Sequence, residues 1–315
     1  MSDQRPTDIS EARPSSVNHL IGQPSVKEQI IVALDSAQQD NKKFDHALLV
    51  GFPGGGKTTS AQIIAAEMGT DFIDALGQSL KAVADLNALL LQATGRAVIL
   101  IDEAHELPKT LQTALYLALD QRRVLLQGSR KGSTPVAIPL KDFTLLLATT
   151  EEYQLLQPLR DRMQLTLRFQ FYEPGYLEKI VRMRAASLGW EVEPDVFPPI
   201  AQRSRGTPRL ALRLLQDARR VARAEAGEVI TVTNLERACS LEGIDHLGLG
   251  PTEQQYLGVL LEGPTRLNVL TSRLGPPSKT VAEVTEPFLI RVGLVVKDDQ
   301  GRRQLTAAGR DHAGE

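Results

Sequence analysis

Apolar and polar positions alternate differently in successive stretches of the chain. Three short runs are almost uniformly apolar: HALLVG from His46 to Gly51, RAVILIDEAHEL from Arg96 to Leu107, and FTLLLATT from Phe143 to Thr150. Runs without polar alternation suit strands covered on both faces, as in the middle of a parallel sheet. In TTSAQIIAAEMG the apolar side chains recur every three or four residues, which predicts an amphipathic helix from Lys57 that ends near Gly69. Lys27 to Gln38 reads as a helix, and so does a segment ending near Gln121. The next stretch, VLLQGSRKGSTPVAIPL from Val124 to Leu140, sets two β-prone pieces around a polar, basic turn and predicts a protruding hairpin.

From Glu173 to about Leu241 the pattern is helical, rich in Ala, Leu and Arg, and broken by a turn before Arg205. GIDHLGLGPTEQ around Gly250 reads as a linker. Beyond it EQQYLGVLLEG and LNVLTSRLG predict short helices, SKTVAEVTEPFLIRVG a further helix and its exit, and VGLVVKDDQGRRQLT a two-stranded hairpin turning at Gly301. The expected organisation is an arm at 1–20, an α/β domain with a parallel sheet at 21–172, a small helical domain at 173–244 and a third domain at 245–315.

Composition narrows the class. A chain of 315 residues with 42% hydrophobic content can build more than one core, which argues against disorder. The net charge of -2 leaves no global field to attract nucleic acid, so such contact would need a local basic edge. Cys239 is the single cysteine, no His and Cys cluster has metal-ligand spacing, and no segment has the uncharged length to cross a bilayer. A soluble, cytoplasmic protein without a membrane partner is expected.

The chemistry concentrates in GFPGGGKTTS. Gly51, Gly56, Lys57 and Thr58 satisfy G-x-x-x-x-G-K-[ST] between a strand and a helix, the context that gives the pattern meaning. Glycines let backbone N–H groups close on phosphate oxygens at a helix N-terminus, Lys57 bridges the outer phosphates of ATP, and Thr58 holds Mg²⁺. Asp102 and Glu103 follow four apolar residues, where one carboxylate reaches the magnesium shell and its neighbour orients or deprotonates the attacking water. Thr149 and Thr150 end the third run, and either can sense the nucleotide. Arg160 and Arg162, two apart, point in opposite directions if extended; one serves as an arginine finger to a neighbour, or both pair with Asp161 and nearby acids. Arg209 enters on the first turn of a helix begun by Pro208 and capped by Thr207, where a cation opposes the helix dipole and suits a phosphate partner. Tyr172 and Pro208 suit an adenine pocket or ordinary packing. His105 reads as a supporting histidine. Arg302 and Arg303 beside Gly301 either meet a DNA backbone or form a solvated turn, with Asp298 and Asp299 opposing phosphate.

The order of RPSSVNHLIGQPSVKEQI, GFPGGGKTT, VILIDEAHEL, LLLATT, PLRDR, RSRGTPR and EPFLIRVGLV closely resembles the bacterial RuvB family, AAA+ motors of Holliday-junction branch migration, from Arg13 to about Arg303. PLRDR, RSRGTPR and EPFLI carry more of the resemblance than the generic nucleotide motifs. It implies an AAA+ P-loop NTPase core, a helical lid and a C-terminal winged-helix domain, assembled as hexameric rings on duplex DNA or a four-way junction. A RuvA-like partner would dock on the hairpin at 124–140. Thr150 becomes the first sensor, Arg160 or Arg162 the finger, and Arg209 the second sensor. The implied nucleotide-binding set is Ile21, Gly51, Pro53, Gly54, Gly55, Gly56, Lys57, Thr58, Thr59, Tyr172, Pro208 and Arg209; Thr58 and Asp102 are the metal pair.

Departures from the family pattern are Phe52 and Gly55 where GPPGLGKTT is usual, Glu106 where arginine is usual, and KDDQGRR in place of a TPRGR wing. They leave room for a divergent paralogue, and two other classes compete. A clamp-loader-like or transposition-helper ATPase would carry a different third domain, such as a helical collar. A nucleotide-gated binding module would show no hydrolysis with or without DNA.

Overall fold

The computed structural model describes residues 14–126 and 135–314. Two compact units arise, one reaching to Ile180 and including Thr207–Arg209, the other built from Val181–Gly206 and the chain from Leu210 on.

The first unit contains strands β1 (Ala47–Val50), β2 (Phe72–Leu76), β3 (Val98–Asp102), β4 (Arg123–Leu126), β5 (Val136–Pro139), β6 (Thr144–Thr149) and β7 (Leu165–Arg168). Five of them form one sheet in the order β2-β3-β6-β1-β7, with every pair parallel. The apolar runs are its three central strands. Their alternate residues feed two cores: Leu48, Ile99, Ile101, Leu145 and Leu147 face one, while Leu49, Val98, Leu100, Leu146 and Ala148 face the other. Helices α1 (Pro24–Gln39) and α2 (Lys57–Met68) cover the second face through Ile30, Leu34, Ile63 and Ile64. Helices α3 (Val83–Leu91) and α4 (Lys109–Gln121) cover the first through Leu86, Leu90, Leu111 and Leu115.

Strands β4 and β5 pair antiparallel from Arg123↔Pro139 to Leu126↔Val136, as the hairpin expectation required; the basic turn at 127–134 lies outside the described residues, as do residues 1–13 of the arm. A short helix, α5 (Gln157–Arg160), lies between β6 and β7.

Helix α6 (Pro174–Leu188) is followed by α7 (Phe197–Arg203), α8 (Pro208–Ala224) and α9 (Val232–Glu242). Buried Ala211, Leu214, Leu215, Ala218, Val221 and Ala222 on α8 repeat at three- and four-residue spacing. Cys239 is buried on α9. The last part of the second unit has α10 (Pro251–Leu261), α11 (Leu267–Leu274), a helix at Glu286–Arg291, and strands β8 (Val295–Lys297) and β9 (Arg303–Leu305), paired antiparallel around the turn at Gly301. Tyr256, Leu257, Leu260, Leu270, Val281 and Leu289 fill its core. The chain continues past the expected hairpin into a helix at Ala307–Ala313, started by Thr306, whose side chain accepts from Gly309 N. Among the described residues no helix is long and apolar enough to cross a membrane.

Candidate functional site

At the carboxyl end of β1 the chain enters the glycine-rich loop, and Gly51 N donates to Thr149 O at 3.1 Å, which fastens the loop to β6. Helix α2 then begins at Lys57, so its free N–H groups face the loop. Lys57 is 5% exposed, and its Nζ donates across the loop to the carbonyls of Gly51 (2.7 Å) and Phe52 (3.0 Å). Burial holds this ammonium below the usual lysine range, against the attraction of Glu103 and Asp102.

Arg209 lies against the same loop. At Gly54, where φ is +78°, a Cβ would stand 2.7 Å from Arg209 Cβ and 3.2 Å from its Nε, so glycine is what allows the approach. Pro208 opens α8 and sets Arg209 on its first turn. Tyr172 reaches the loop from the segment after β7, its hydroxyl donating to Gly55 O at 3.2 Å; burial pushes the phenol's pKa up. Beside Ile21, the backbone of Gly22 packs on the Tyr172 ring. Gln23 and Gln170 exchange side-chain to main-chain hydrogen bonds of 2.5 and 3.0 Å, tying the start of α1 to this segment.

Asp102 closes β3. Its Oδ2 accepts from Thr58 Oγ1 at 2.8 Å, and its Oδ1 accepts from Glu103 N at 2.9 Å. A hydroxyl and a carboxylate in contact are an all-oxygen set suited to Mg²⁺. Among the described residues no group of three or more His, Cys, Asp or Glu side chains is placed to hold a metal ion. Glu103 has left-handed backbone, φ 50° and ψ 48°.

His105 lies among more partners than its sequence position revealed. Its Nδ1 is 3.1 Å from Thr149 Oγ1 and 3.5 Å from Glu103 Oε2, and its Nε2 is 3.7 Å from Glu106 Oε1 and 3.8 Å from Glu151 Oε1. Thr149 is therefore fully buried and engaged, its hydroxyl also accepting from Glu151 N. Thr150, the first residue beyond β6, is half-buried at the strand's exit.

Three family models divide the chain. Residues 12–169 match the Holliday junction DNA helicase RuvB P-loop domain, 172–245 the RuvB AAA lid domain and 246–314 the RuvB C-terminal winged helix domain. The Holliday junction branch migration complex subunit RuvB of Nocardia farcinica is 40% identical over 307 residues, covering 96% of this chain and 86% of that protein. The chain belongs to the RuvB family. The same subunit of Mycobacterium tuberculosis is 39% identical, with 96% and 89% covered. The solved Thermotoga maritima RuvB Holliday junction branch migration motor superposes with a TM-score of 0.82 at 32% identity, over 96% of this chain and 98% of that one. The architecture is thus the RuvB one: AAA+ P-loop core, AAA lid and winged helix.

Two RuvB motifs are arranged differently from expectation. PLRDR is not extended: Arg160 ends α5, and the following N–H groups of Arg162 and Met163 bond back to Leu159 O and Arg160 O, so the two arginines do not alternate as in a strand. Arg162 makes a two-pronged pair with Asp120 and lies over the Tyr116 ring at 5.0 Å; Arg160 donates to Gln157 Oε1. Asp161, the expected acid, instead accepts from Gln157. None of these bonds reaches the phosphate loop.

In the wing, Arg302 Nε donates to Asp298 Oδ2 at 2.7 Å. Arg303, the other expected DNA contact, has an acidic partner within its own chain. It belongs to β9, and its guanidinium pairs in two-pronged fashion with Glu286, a carboxylate only 1% exposed that also accepts from Tyr256 and Lies 3.1 Å from Lys297 Nζ. Burial raises the carboxyl, but hydrogen bonds from Arg303 and Lys297 outweigh it and hold Glu286 below the usual carboxylate range. The buried Glu286 carboxylate thus engages the Arg303 guanidinium within its own domain.

Proposed function

We propose that this chain is the ATP-hydrolysing motor of Holliday-junction branch migration, acting in recombination and repair as a ring of identical subunits, by inference hexameric. The observation that carries the reading is the convergence of Lys57, Thr58, Asp102 and Arg209 on one phosphate loop in a chain whose three segments all match RuvB. The loop N–H groups and the start of α2 bind the phosphates of ATP, with Gly51, Pro53, Gly54, Gly55, Gly56 and Thr59 shaping the cradle. Lys57 bridges the outer phosphates. When bound by Thr58 and Asp102, Mg²⁺ supplies neutralisation of phosphate charge. Glu103 orients the attacking water and takes its proton, while Thr150 reads the terminal phosphate. Ile21, Tyr172 and Pro208 receive the base.

Arg209 carries the phosphate state into α8, which continues in the second unit. Arg160 or Arg162 acts on the site of the adjoining subunit. The hairpin at 124–140 docks a RuvA-like protein, and the wing at Arg302 meets duplex phosphate. A division at 21–172, 173–244 and 245–315 assigns these tasks to core, lid and winged helix.

The test is migration of a synthetic four-way junction by the purified protein with ATP and Mg²⁺, with and without RuvA from the same host. Movement should require ATP and be strongly stimulated by RuvA. Lys57→Ala should abolish nucleotide binding, whereas Glu103→Gln should keep binding and slow hydrolysis about 10²- to 10⁴-fold. ATP turnover with no junction movement in either condition would reject the motor assignment, and full hydrolysis by Glu103→Gln would reject the role of that carboxylate.

A further inference from the structure

The loop that receives phosphate is unusually free of side chains, with consecutive glycines at Gly54, Gly55 and Gly56. Such backbone has more conformations to lose than any other, so its N–H groups converge on a ligand only if something else holds the loop in shape. The one large side chain in the loop is Phe52. Its ring stacks on Phe171 with centroids 4.1 Å apart and planes inclined by 11°. The same ring fills the space above Gly55, where a Cβ would meet Phe52 Cζ at 3.0 Å and Cε2 at 3.2 Å. The Phe52 carbonyl accepts from Lys57 Nζ at 3.0 Å and Gly55 N at 3.3 Å.

The segment carrying Phe171 is itself bound to the loop on both sides. Phe169 N donates to Val50 O at 2.8 Å, where the loop begins, and the Tyr172 hydroxyl bonds Gly55 O at 3.2 Å, near its end. Phe52 and Gly55 are therefore matched: with the aromatic ring at one position, a side chain at the other would crowd it and push the ring aside.

We infer that Phe52 and Phe171 form an aromatic clasp that positions the phosphate loop for ATP, with Gly55 as the seat of the Phe52 ring. The inference rests on the reading that this loop takes ATP. The clasp acts before chemistry, on the ordering of the loop. Its loss weakens binding and leaves the step at Glu103 largely intact.

The experiment measures ATP binding and steady-state hydrolysis, with Mg²⁺, on the full chain. Phe171→Leu keeps an apolar side chain and loses the stack; Phe52→Leu does the same from the other partner. Each should raise KM for ATP about 3- to 10-fold, the range for an aromatic pair, with kcat changed less than about 2-fold. The double variant should be no worse than about either single one, and Phe171→Tyr should behave as the wild type. Gly55→Leu should bind ATP more poorly than Phe52→Leu, and adding Phe52→Pro should bring binding back to the level of Phe52→Leu by removing the ring it strikes. Unchanged KM in Phe171→Leu, additive losses in the double variant, or full binding by Gly55→Leu would each overturn the clasp. If the wild-type chain itself bound no ATP, the nucleotide reading would fall instead. Circular dichroism melting of every variant separates misfolding from weakened binding, and the comparison of Gly55→Leu with and without Phe52→Pro keeps the test decisive should a leucine variant unfold.

Discussion

His46, at the entrance to β1, is half-buried and made neutral by its surroundings. Its Nδ1 accepts from Leu145 N at 2.8 Å, and burial, then the charges of Lys43 and Arg122, press its pKa from 6.5 down to about 3. An unfolded chain protonates this ring near 6.5 while the folded chain resists until about 3. Its contribution to stability is thus complete above pH 6.5 and is lost as pH falls toward 3, by at most about 1.4 kcal/mol per pH unit. Melting followed from pH 7.5 to 5 should show a fall in the midpoint for the wild type that is smaller in His46→Asn, whose amide oxygen can still accept from Leu145; equal falls would remove His46 as the cause. None of this was legible in the sequence, because the acceptor role depends on a strand about a hundred residues away. Lys57, Thr58 and Asp102 were legible because phosphate chemistry prescribes both their types and their spacing. The partners of His105 were not, since Thr149 and Glu151 arrive from β6 and its exit.

Among the elements, legibility followed coverage. β1, β3 and β6 have neighbours on both edges and helices on both faces, so their sequences are plain apolar runs. The edge strands β2, FIDAL, and β7, LTLR, mix polar with apolar residues and escaped recognition. The wing was legible as a hairpin through Gly301, but its attachment was not: Arg303 and Lys297 meet Glu286 from different elements. Removing Arg303 leaves a buried carboxylate with weaker compensation. Arg303→Ala should destabilise the second unit by about 3–5 kcal/mol, read by denaturant unfolding. A loss below about 1 kcal/mol would show that Lys297 and Tyr256 suffice. Any DNA-binding defect of Arg303→Ala must be judged against this loss, so Arg302→Ala is the cleaner probe of a phosphate contact.

For the whole molecule, the proposed finger at Arg160 or Arg162 calls for a neighbouring subunit to bring it to the residues around Lys57. Arg162 is held by Asp120 and Tyr116, and Arg160 by Gln157, with no bond from either to the phosphate loop among the described residues. A protein with both Arg160→Ala and Arg162→Ala should lose hydrolysis, as should Lys57→Ala, yet mixing the two should return part of the activity, since some interfaces then unite an intact loop with an intact arginine. Mixed oligomers that stay inactive would refute sharing. The motifs could suggest such a division of labour only through resemblance, because an interface leaves no periodicity in one chain. Glu103 shows a different kind of economy. Its left-handed backbone is a conformation glycine would adopt with ease, whereas a glutamate there strains the chain by about 1–2 kcal/mol. If Glu103 has the catalytic role proposed for it, a variant selected only for heat resistance would be drawn toward glycine at 103 and become a sturdier but inert copy of the motor, with selection for work opposed to selection for endurance at this one position.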